Sequence, residues 1–378
     1  MKVLLTGGGT GGHVNPALAI ADIIKLNVPD AEFVYVGTKN GIENSLVKRE
    51  GYPMYHVECR GIRRSLSLAN LITAYYVLTA PHKARRLLQK LSPDIVIGTG
   101  GFACWAPVKA AAQLGIPTVL HESNVVPGMA VRRLQNEVDL ILTNFAETVE
   151  GLSAKEKVVH VGNPLRRDYG TYTREQAREA LGIPKEIEFL ILSFGGSRGA
   201  DRVNEAMISV MKNFVLPRSR VMHVHAGGKS SYAQAKALFC EAGLLGNERT
   251  RLEEYIYNMP IWMAAADLVI CRAGAMTLTE IARMQKPAVI IPSPNVVENH
   301  QYKNAKVLAD AGAAVMLEEK DLNAESIVRE VMELYESPEY RRQMSERILA
   351  FGSLDADRRI YEEITRLLKR KEKIVKSL

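Results

Sequence analysis

A histidine follows a glycine-rich run near the start of the chain. Gly7, Gly9 and Gly12 satisfy the spacing G-x-G-x-x-G, and His13 comes directly after them. Glycines lack a Cβ atom, so backbone N–H groups at such a turn can approach a phosphate group closely, and a helix that starts there adds a favourable dipole. An imidazole ordinarily titrates near neutral pH and can take a proton from an attacking hydroxyl group. The run therefore predicts an anion-binding turn with a candidate general base, although the glycine spacing alone is a weak signal.

Other side chains offer acid–base or metal chemistry. Glu122 ends an apolar, strand-like run and competes with the first histidine for the role of general base, which the residues alone leave open. Asp355 and Asp357 have the D-x-D spacing that can hold a divalent metal, but they lie in a polar C-terminal region that predicts a helix. His223 and His225 share one face of a predicted strand, where hydrogen-bonded histidines are commoner than metal ligands. We therefore expect that no metal ion or other cofactor is required.

The elements that must position these residues form two successive series of strands and helices. In the first series, short apolar runs that predict buried parallel strands alternate with helical stretches. A nicotinamide-dinucleotide site would need an acidic residue after the second strand, but Gly37, Thr38 and Lys39 follow it. The predicted strands of this series are Val3–Leu5, Phe33–Val36, Ile95–Ile97, Thr118–His121 and Leu140–Thr143.

The pattern starts again in the second half of the chain. The apolar run Phe189–Phe194 leads into a glycine-rich turn, Gly195–Ala200, and a helix predicted over Val203–Met211. Two such series predict two Rossmann-like α/β domains, which we place at residues 1–163 and 164–353. We expect the helix at about 354–378 to pack back on the first domain. The later strands are predicted at Val221–His225, Leu268–Cys271, Ala288–Ile291 and Ala314–Leu317.

Composition and charge limit the partners. The chain has 378 residues, more than one hydrophobic core usually supports, and its net charge of +7 favours an anionic partner. Its four cysteines lack metal-ligand spacing, so we expect reduced thiols in or near the core. The sequence shows neither a signal peptide nor the roughly 18 consecutive apolar residues of a membrane span, which favours the cytosol. It also lacks the clustered basic and aromatic face of a nucleic-acid-binding protein.

Five further motifs follow one another along the chain. They are Gly98–Phe102, His121–Asn124, Gly162–Arg166, Gly195–Ala200 and Cys271–Glu280. On these motifs the chain closely resembles the MurG family of bacterial N-acetylglucosaminyltransferases over essentially its whole length. The resemblance implies the GT-B fold, with two Rossmann-like domains whose parallel sheets face each other across a cleft. The chain departs from the family pattern at Ser123, Arg198 and His300, where many relatives have glutamine.

The resemblance implies an activity and a set of partners. Family members invert the anomeric centre as they move N-acetylglucosamine from UDP-N-acetylglucosamine to the 4-hydroxyl group of N-acetylmuramic acid in lipid I. The product, lipid II, serves peptidoglycan synthesis. The implied location is the cytoplasmic face of the plasma membrane, as a peripheral protein on anionic lipid, beside proteins of cell-wall synthesis and cell division. A UDP-N-acetylglucosamine epimerase, which shares the fold and needs no lipid acceptor, is the rival enzyme.

The resemblance also implies donor-binding residues, mainly in the second domain. Glu280 would accept hydrogen bonds from both ribose hydroxyl groups, and the backbone of Ile256 would read the uracil. Arg166 would bind the diphosphate, Ser197 would donate its hydroxyl group, and Gln301 would bind sugar hydroxyl groups. The first turn of a helix would add backbone N–H groups at the diphosphate. The residues of that turn and the one after it are Ala275, Met276, Thr277, Leu278 and Thr279.

The first domain would hold the lipid acceptor. By the resemblance, His13 or Glu122 takes the proton from the 4-hydroxyl group as its oxygen attacks. The residues that shape the site beside them, and that the family also counts among its donor contacts, are Thr10, Gly11, Gly12 and Asn124.

An amphipathic segment, residues 67–81, is the predicted membrane contact. Its apolar residues follow the helical spacing i, i+3, i+4, i+7, and basic residues flank them. An apolar face with a basic rim suits shallow docking on anionic lipid, whereas a core-facing helix is the simpler interpretation without the resemblance. The apolar residues are Leu68, Leu71, Ile72 and Tyr75, with Tyr76 and Leu78 nearby, and the basic ones are Arg63, Arg64, Lys83, Arg85 and Arg86.

Overall fold

Apolar runs and glycine-rich turns fold the chain into two α/β units. The computed structural model describes residues 1–59, 69–352 and 354–377. The first unit comprises Met1–Arg166 and Leu354–Leu378, and the second comprises Arg167–Ser353.

The first unit contains one sheet of seven parallel strands. The strands are β1 (Lys2–Thr6), β2 (Glu32–Gly37), β3 (Met54–His56), β4 (Ile95–Gly98), β5 (Thr118–Glu122), β6 (Leu140–Thr143) and β7 (Val158–His160). The helices between them are α1 (Gly11–Asn27), α2 (Glu43–Arg49), α3 (Ala69–Leu91), α4 (Phe102–Gln113) and α5 (Met129–Leu134). The strand order is β3-β2-β1-β4-β5-β6-β7, so the central neighbours β1 and β4 are not consecutive in the chain.

The second unit contains a parallel sheet of six strands. The strands are β8 (Phe189–Phe194), β9 (Val221–Ala226), β10 (Thr250–Glu253), β11 (Leu268–Cys271), β12 (Ala288–Ile290) and β13 (Val315–Met316). The helices are α6 (Arg174–Ala180), α7 (Asp201–Val210), α8 (Tyr232–Glu241), α9 (Met259–Ala265), α10 (Ala275–Arg283), α11 (His300–Asp310), α12 (Ala324–Glu336) and α13 (Pro338–Ile348). The order β10-β9-β8-β11-β12-β13 makes β8 and β11 the central neighbours.

Both sheets therefore reverse their strand order at a central pair of strands. Open α/β sheets bind ligands outside the carboxyl ends of their strands at such a switch point. In the first unit this place lies between the glycine-rich turn after β1 and the Thr99–Gly101 turn after β4. In the second unit it lies between Gly195–Ala200 after β8 and Arg272–Gly274 after β11. The glycine-rich turns found in the sequence thus stand where the fold offers a ligand site.

The last helix, α14 (Ala356–Ser377), closes the first unit. Ile360, Ile364 and Leu367 are buried and share a hydrophobic core with α1 and one face of the sheet. Their spacing of four and three residues puts them on one face of the helix. Within the part of the chain that the structure describes, no helix is long and apolar enough to cross a membrane.

The strands predicted from the sequence include all the central strands of both sheets. The structure differs from the prediction mainly at the sheet edges. All ten predicted strands are present, although the run Ala314–Leu317 forms only the two-residue strand β13. The structure adds β3, β7 and β10, which are short and only partly buried, so their apolar pattern is weak. The helix predicted over Val203–Met211 is α7, followed by a π-helical turn at Met211–Val215. The expectation of four core or near-core thiols is wrong for Cys240, which is exposed.

Candidate active site

The glycine-rich turn between β1 and α1 is held by side chains from neighbouring strands. Tyr35 on β2 donates its hydroxyl group to the carbonyl oxygen of Gly7 over 2.8 Å. Thr99, directly after β4, donates its hydroxyl group to the carbonyl oxygen of His13 over 2.5 Å. Gly9 has a φ of +87°, a left-handed conformation that only glycine adopts without strain. The fold itself therefore fixes the shape of the turn.

The imidazole ring of His13 lies against the second glycine turn of this unit. Nδ1 is 3.1 Å from the carbonyl oxygen of Gly8 and 3.2 Å from Oγ1 of Thr10. A carbonyl oxygen can only accept, so in this contact Nδ1 carries the proton and Nε2 keeps its lone pair. A Cβ atom at Gly100 would lie 2.8 Å from Cδ2 of the ring, and one at Gly101 would lie 2.1 Å from the Gly8 oxygen. The glycines after β4 therefore provide the space that the ring occupies.

A buried glutamate that the sequence analysis missed lies beneath the same turn. Glu43, the first residue of α2, is 0% exposed. Its Oε1 accepts hydrogen bonds from the backbone N–H and hydroxyl group of Thr38, at 3.0 and 2.8 Å. Its Oε2 accepts from the N–H of Gly9 at 3.3 Å. No motif in the sequence marks this residue, because its partners are brought together only by the pairing of β1 with β2.

Glu122, the alternative base, lies at the end of β5 and is 5% exposed. Its Oε1 accepts from the backbone N–H and the side-chain amide of Asn124, both at 3.0 Å, and its Oε2 accepts from the N–H of Gly128 at 2.7 Å. Charge-assisted hydrogen bonds of this kind are strong, and here they shape the loop that carries Asn124. The oxygens of Glu122 are thus engaged in holding its own loop.

The other predicted residues of the first unit lie at two places. Thr10 precedes α1, and Gly11 and Gly12 open it, so their N–H groups belong to the first turn, where helix amides lack partners within the helix. Arg166 is half-exposed, and its guanidinium group pairs with Glu50 over 2.9 Å within the same unit. The structure therefore places Thr10 in contact with the His13 ring, and Gly11 and Gly12 directly before His13 in α1, while Arg166 pairs with Glu50.

Two loops of the second unit lock together at the carboxyl ends of β8 and β9. Lys229 donates its N–H to the carbonyl oxygen of Ser197 over 3.2 Å. A Cβ atom at Gly199 would lie 2.2 Å from the oxygen of Gly227, and one at Gly228 would lie 2.1 Å from the nitrogen of Gly199. No side chain therefore fits at the crossing in either loop. We call the two loops, Gly195–Ala200 and Gly227–Lys229, the double loop, and the exposed Ser197 lies on it.

A buried polar network supports the double loop from the sheet. Asn204 on α7 donates a hydrogen bond from its side-chain amide to the carbonyl oxygen of Gly227 over 3.0 Å. Its Oδ1 accepts a hydrogen bond from Nε2 of His225 at 2.9 Å. Ser193 Oγ lies 2.8 Å from Nδ1 of His225 and 2.6 Å from Nε2 of His223. Burial lowers the pKa of His225 to about 4 and also lowers that of His223, so both rings are neutral. The predicted hydrogen-bonded role of these two histidines is confirmed.

Residues with metal-binding potential do not cluster in the described ranges, where no group of three or more His, Cys, Asp or Glu side chains could hold an ion. Of the D-x-D pair, Asp355 forms an ion pair with Arg358 over 3.2 Å at the start of α14.

Helix α10 presents its N-terminus at the switch point of the second sheet. It begins at Ala275 after Gly274 and has no acidic residue in its first turn. The side chains of Ala275, Met276, Leu278 and Thr279 are buried, so towards a ligand this helix offers backbone N–H groups and the partly exposed Thr277. Such a helix end attracts an anion through its N–H groups and dipole.

Glu280, on the second turn of α10, accepts a hydrogen bond from the hydroxyl group of Tyr169. Burial raises the pKa of the Glu280 carboxyl to about 7, and the Tyr169 bond opposes that shift. Burial and the neighbouring Glu280 in turn raise the pKa of Tyr169, which keeps its proton and donates. Tyr169 could not be found from the sequence, because a tyrosine in a loop more than a hundred residues away carries no local signal.

Further contacts connect residues of the second unit that the family resemblance assigns to donor binding. The Lys229 ammonium group lies over the ring of Tyr255 at 5.6 Å, and Tyr255 interacts electrostatically with Tyr169. These contacts connect the double loop, the segment of Ile256 and the carboxylate of Glu280. Ile256 itself is 5% exposed, which leaves its backbone as the group available to a ligand.

Gln301 lies in the first turn of α11, beside the loop after β12. Its Oε1 accepts the N–H of Ser293 at 3.0 Å, which orients the side-chain amide so that its nitrogen remains a donor. The neighbouring His300 holds its Nδ1 2.9 Å from the carbonyl oxygen of Val297. Asn304 on α11 donates to the oxygen of Ala273 over 3.3 Å, which ties this helix to the turn before α10.

The predicted membrane contact lies mostly on α3, and the described residues that α3 packs against the sheet are not the apolar residues of that contact. Ala80, Ala84 and Leu88 are buried against the sheet, whereas Tyr75 is 57% and Leu78 is 73% exposed. The basic residues Lys83, Arg85 and Arg86 are exposed as well. Arg63, Arg64 and Leu68, together with the side chains of Leu71 and Ile72, lie outside the described residues.

Comparison with curated relatives shows similarity over nearly the full length. A protein of Acetivibrio thermocellus is 37% identical over 371 residues, which is 98% of this chain and 99% of the relative. One of Bacillus cereus is 39% identical over 373 residues, which is 98% of this chain and 100% of the relative. Both are named UDP-N-acetylglucosamine–N-acetylmuramyl-(pentapeptide) pyrophosphoryl-undecaprenol N-acetylglucosamine transferase.

Solved structures show the same architecture. MurG of Acinetobacter baumannii is 28% identical, with a TM-score of 0.73 over 97% of this chain and 99% of that one. A UDP-N-acetylglucosamine 2-epimerase homologue of Listeria monocytogenes has a TM-score of 0.72 over 98% and 97% of the two chains but is only 16% identical, which shows the fold alone. The family models for the N-terminal and C-terminal domains of glycosyltransferase family 28 match residues 3–143 and 190–360. With its paired parallel sheets of the GT-B fold, the chain belongs to glycosyltransferase family 28.

Proposed function

We propose that the chain moves N-acetylglucosamine from UDP-N-acetylglucosamine to the 4-hydroxyl group of N-acetylmuramic acid in lipid I, with inversion, and so makes lipid II for peptidoglycan synthesis. The observation that carries the proposal is the transferase name shared by relatives that are 37% to 39% identical over 98% of the chain. The UDP-N-acetylglucosamine 2-epimerases, at 16% and 17% identity, share only the architecture.

In the proposed reaction, the second unit binds the donor. The first-turn N–H groups of α10 bind the diphosphate, and the backbone of Ile256 binds the uracil. Glu280 accepts hydrogen bonds from the ribose hydroxyl groups in exchange for the one from the hydroxyl group of Tyr169, so the carboxylate has a donor in either case. Ser197 and Gln301 donate hydrogen bonds to the diphosphate and to the sugar.

The first unit supplies the base and binds the acceptor beside Thr10, Gly11, Gly12 and Asn124. The 4-hydroxyl oxygen attacks the anomeric carbon, the bond from that carbon to the diphosphate oxygen breaks, and UDP leaves with the bonding electrons. Nε2 of His13 takes the hydroxyl proton, since Nδ1 already donates to the Gly8 oxygen. His13 is favoured over Glu122 because both oxygens of that carboxylate hold its own loop.

The charge on the leaving diphosphate is stabilised by the helix dipole, backbone N–H groups and Arg166, which exchanges Glu50 for the donor. This set of donors makes a divalent metal unnecessary for turnover in the proposal.

The lipid acceptor requires a membrane surface, and we propose that the exposed face of α3 binds it peripherally on the cytoplasmic side. Tyr75 and Leu78 extend away from the buried face of the helix, and Lys83, Arg85 and Arg86 follow them. Apolar side chains that insert shallowly while basic ones contact anionic headgroups are typical of this kind of binding.

Incubation with radiolabelled UDP-N-acetylglucosamine and a short-chain lipid I analogue tests the proposed function. Chromatography should show a labelled disaccharide-lipid product, because the acceptor hydroxyl group is the nucleophile. Donor alone serves as the control, and formation of UDP-N-acetylmannosamine there, without product in the full reaction, would identify an epimerase instead.

A further inference from the structure

We propose that Glu43 is a positioning residue that fixes the orientation and tautomer of His13 through a single peptide group. The inference rests on the proposed function, in which His13 is the general base.

The carboxylate of Glu43 joins the turns that follow two neighbouring strands of the first sheet, β1 and β2. Oε1 binds the backbone and hydroxyl donors of Thr38 after β2, and Oε2 binds the N–H of Gly9 after β1. A fully buried carboxylate is unfavourable unless hydrogen bonds compensate its lost hydration, and here both oxygens have donors. The two turns are thereby held at a fixed distance from each other.

Three glycines leave the space for this carboxylate. A Cβ atom at Gly8 would lie 2.7 Å from Oε1 of Glu43, and one at Gly37 would lie 2.7 Å from its Cγ. At Gly41 a Cβ atom would lie 2.1 Å from both carboxylate oxygens. Gly8 belongs to the glycine-rich run, whereas Gly37 and Gly41 lie outside it, so two of these three glycines have no direct part in the proposed anion binding.

One peptide group connects Glu43 with His13. The N–H of Gly9 and the carbonyl group of Gly8 belong to the same planar peptide bond. Its N–H donates to Oε2 of Glu43, and its oxygen lies 3.1 Å from Nδ1 of His13. Successive hydrogen bonds polarise one another, so donation to a carboxylate makes the Gly8 oxygen a stronger acceptor for the Nδ1 proton. This arrangement holds the lone pair of Nε2 ready for the acceptor hydroxyl group.

Glu43→Gln is the main test, because an amide cannot accept hydrogen bonds on both of its terminal atoms. We expect the single-turnover rate of sugar transfer to fall about ten- to hundredfold, in line with the sensitivity of catalysis to small misplacements. Affinity for UDP-N-acetylglucosamine, measured by calorimetry, should change less than about twofold, since the proposed donor contacts other than Arg166 lie in the second unit and Arg166 pairs with Glu50, not with Glu43.

Two further variants separate positioning from stability. Thr38→Val removes one hydroxyl bond to Oε1 of Glu43 and should lower the rate in the same direction but less, which keeps the test open if Glu43→Gln does not fold. Thr118→Val removes a hydroxyl group at the opposite end of the sheet, which donates to the Asp139 carboxylate and accepts from the Asp139 N–H, both over 3.1 Å in a partly buried place. It should lower the melting temperature comparably and leave the rate unchanged.

A double-mutant cycle with His13→Ala decides whether Glu43 acts through His13. If it does, Glu43→Gln lowers the rate in the wild-type background and has no further effect in the His13→Ala background. Equal effects in both backgrounds, or a normal rate in folded Glu43→Gln, would overturn the inference while leaving the base intact. A normal rate in His13→Ala would instead reject the base and with it that part of the proposed function.

Discussion

The raised pKa of Glu280 predicts that donor affinity falls as the pH drops through neutrality. In the proposed site the ionised carboxylate accepts the ribose hydroxyl groups, and protonation removes acceptor capacity. Burial raises the pKa of this carboxyl to about 7 in the free protein. Both phosphates of UDP-N-acetylglucosamine stay ionised between pH 6 and 8, so the donor itself does not titrate in this range.

The size of the effect follows from the ionised fraction of Glu280. With a pKa of about 7, roughly nine tenths of the carboxyl groups are ionised at pH 8 and roughly one tenth at pH 6. The apparent Kd for UDP-N-acetylglucosamine should therefore rise about tenfold from pH 8 to pH 6. Glu280→Gln should bind the donor weakly at every pH and lose most of this dependence.

Glu280→Gln, which should weaken donor binding, should also stabilise the folded protein. Because the folded-state pKa lies above the ordinary value of 4.5, Glu280 favours the folded state at low pH, and this contribution is lost as the pH rises through about 7. Glu280→Gln should therefore increase the free energy of unfolding at pH 8, by up to about 3 kcal/mol. Its amide oxygen can still accept from Tyr169.

Calorimetric titration of wild type and Glu280→Gln at pH 6, 7 and 8, with denaturant unfolding at pH 8, measures both effects. A wild-type Kd that is constant over this range would refute the reasoning. So would an equal pH dependence in Glu280→Gln, which would assign the titration to a group other than Glu280.

Three further outcomes are expected. His13→Ala should lower the single-turnover rate by about 10² to 10⁴ while donor affinity changes little, and a near-normal rate would move the role of base to another group such as Glu122. Saturating EDTA should leave most turnover intact, whereas a loss restored only by Mg²⁺ or Mn²⁺ would contradict the proposed stabilisation of UDP. Tyr75→Asp with Leu78→Asp should reduce sedimentation with anionic vesicles and preserve turnover of a short-chain acceptor. Leu245→Asp, at an equally exposed leucine of the second unit, should change neither.

Much of the fold could be predicted because its central strands are continuous apolar runs. β1, β4, β8 and β11 are buried on both faces, and glycine-rich turns mark where the first three of these strands end. The edge strand β3 could not be predicted, since three half-exposed residues do not differ in pattern from a loop. Propensity and periodicity are weakest where a strand has only one neighbour.

The candidate site was predictable only where chemistry and local sequence coincide. His13 follows its glycines directly, so both the anion-binding turn and the candidate base can be read from one segment. Tyr169 and Glu43 could not be found in this way, because each is defined by a hydrogen bond to a distant partner in the fold. The family resemblance supplied Ile256 and Gln301, whose roles no spacing in this sequence would suggest.

The closure of the first unit by α14 has a consequence for synthesis on the ribosome. The core that receives Ile360, Ile364 and Leu367 is otherwise built from the first 166 residues, and about 190 residues of the second unit are translated in between. At typical elongation rates this interval lasts on the order of 10 to 40 s. During it, the nascent first unit presents to chaperones the apolar surface of α1 and the sheet that α14 will cover. The second unit is contiguous in sequence, so it can complete its core first although its translation begins later.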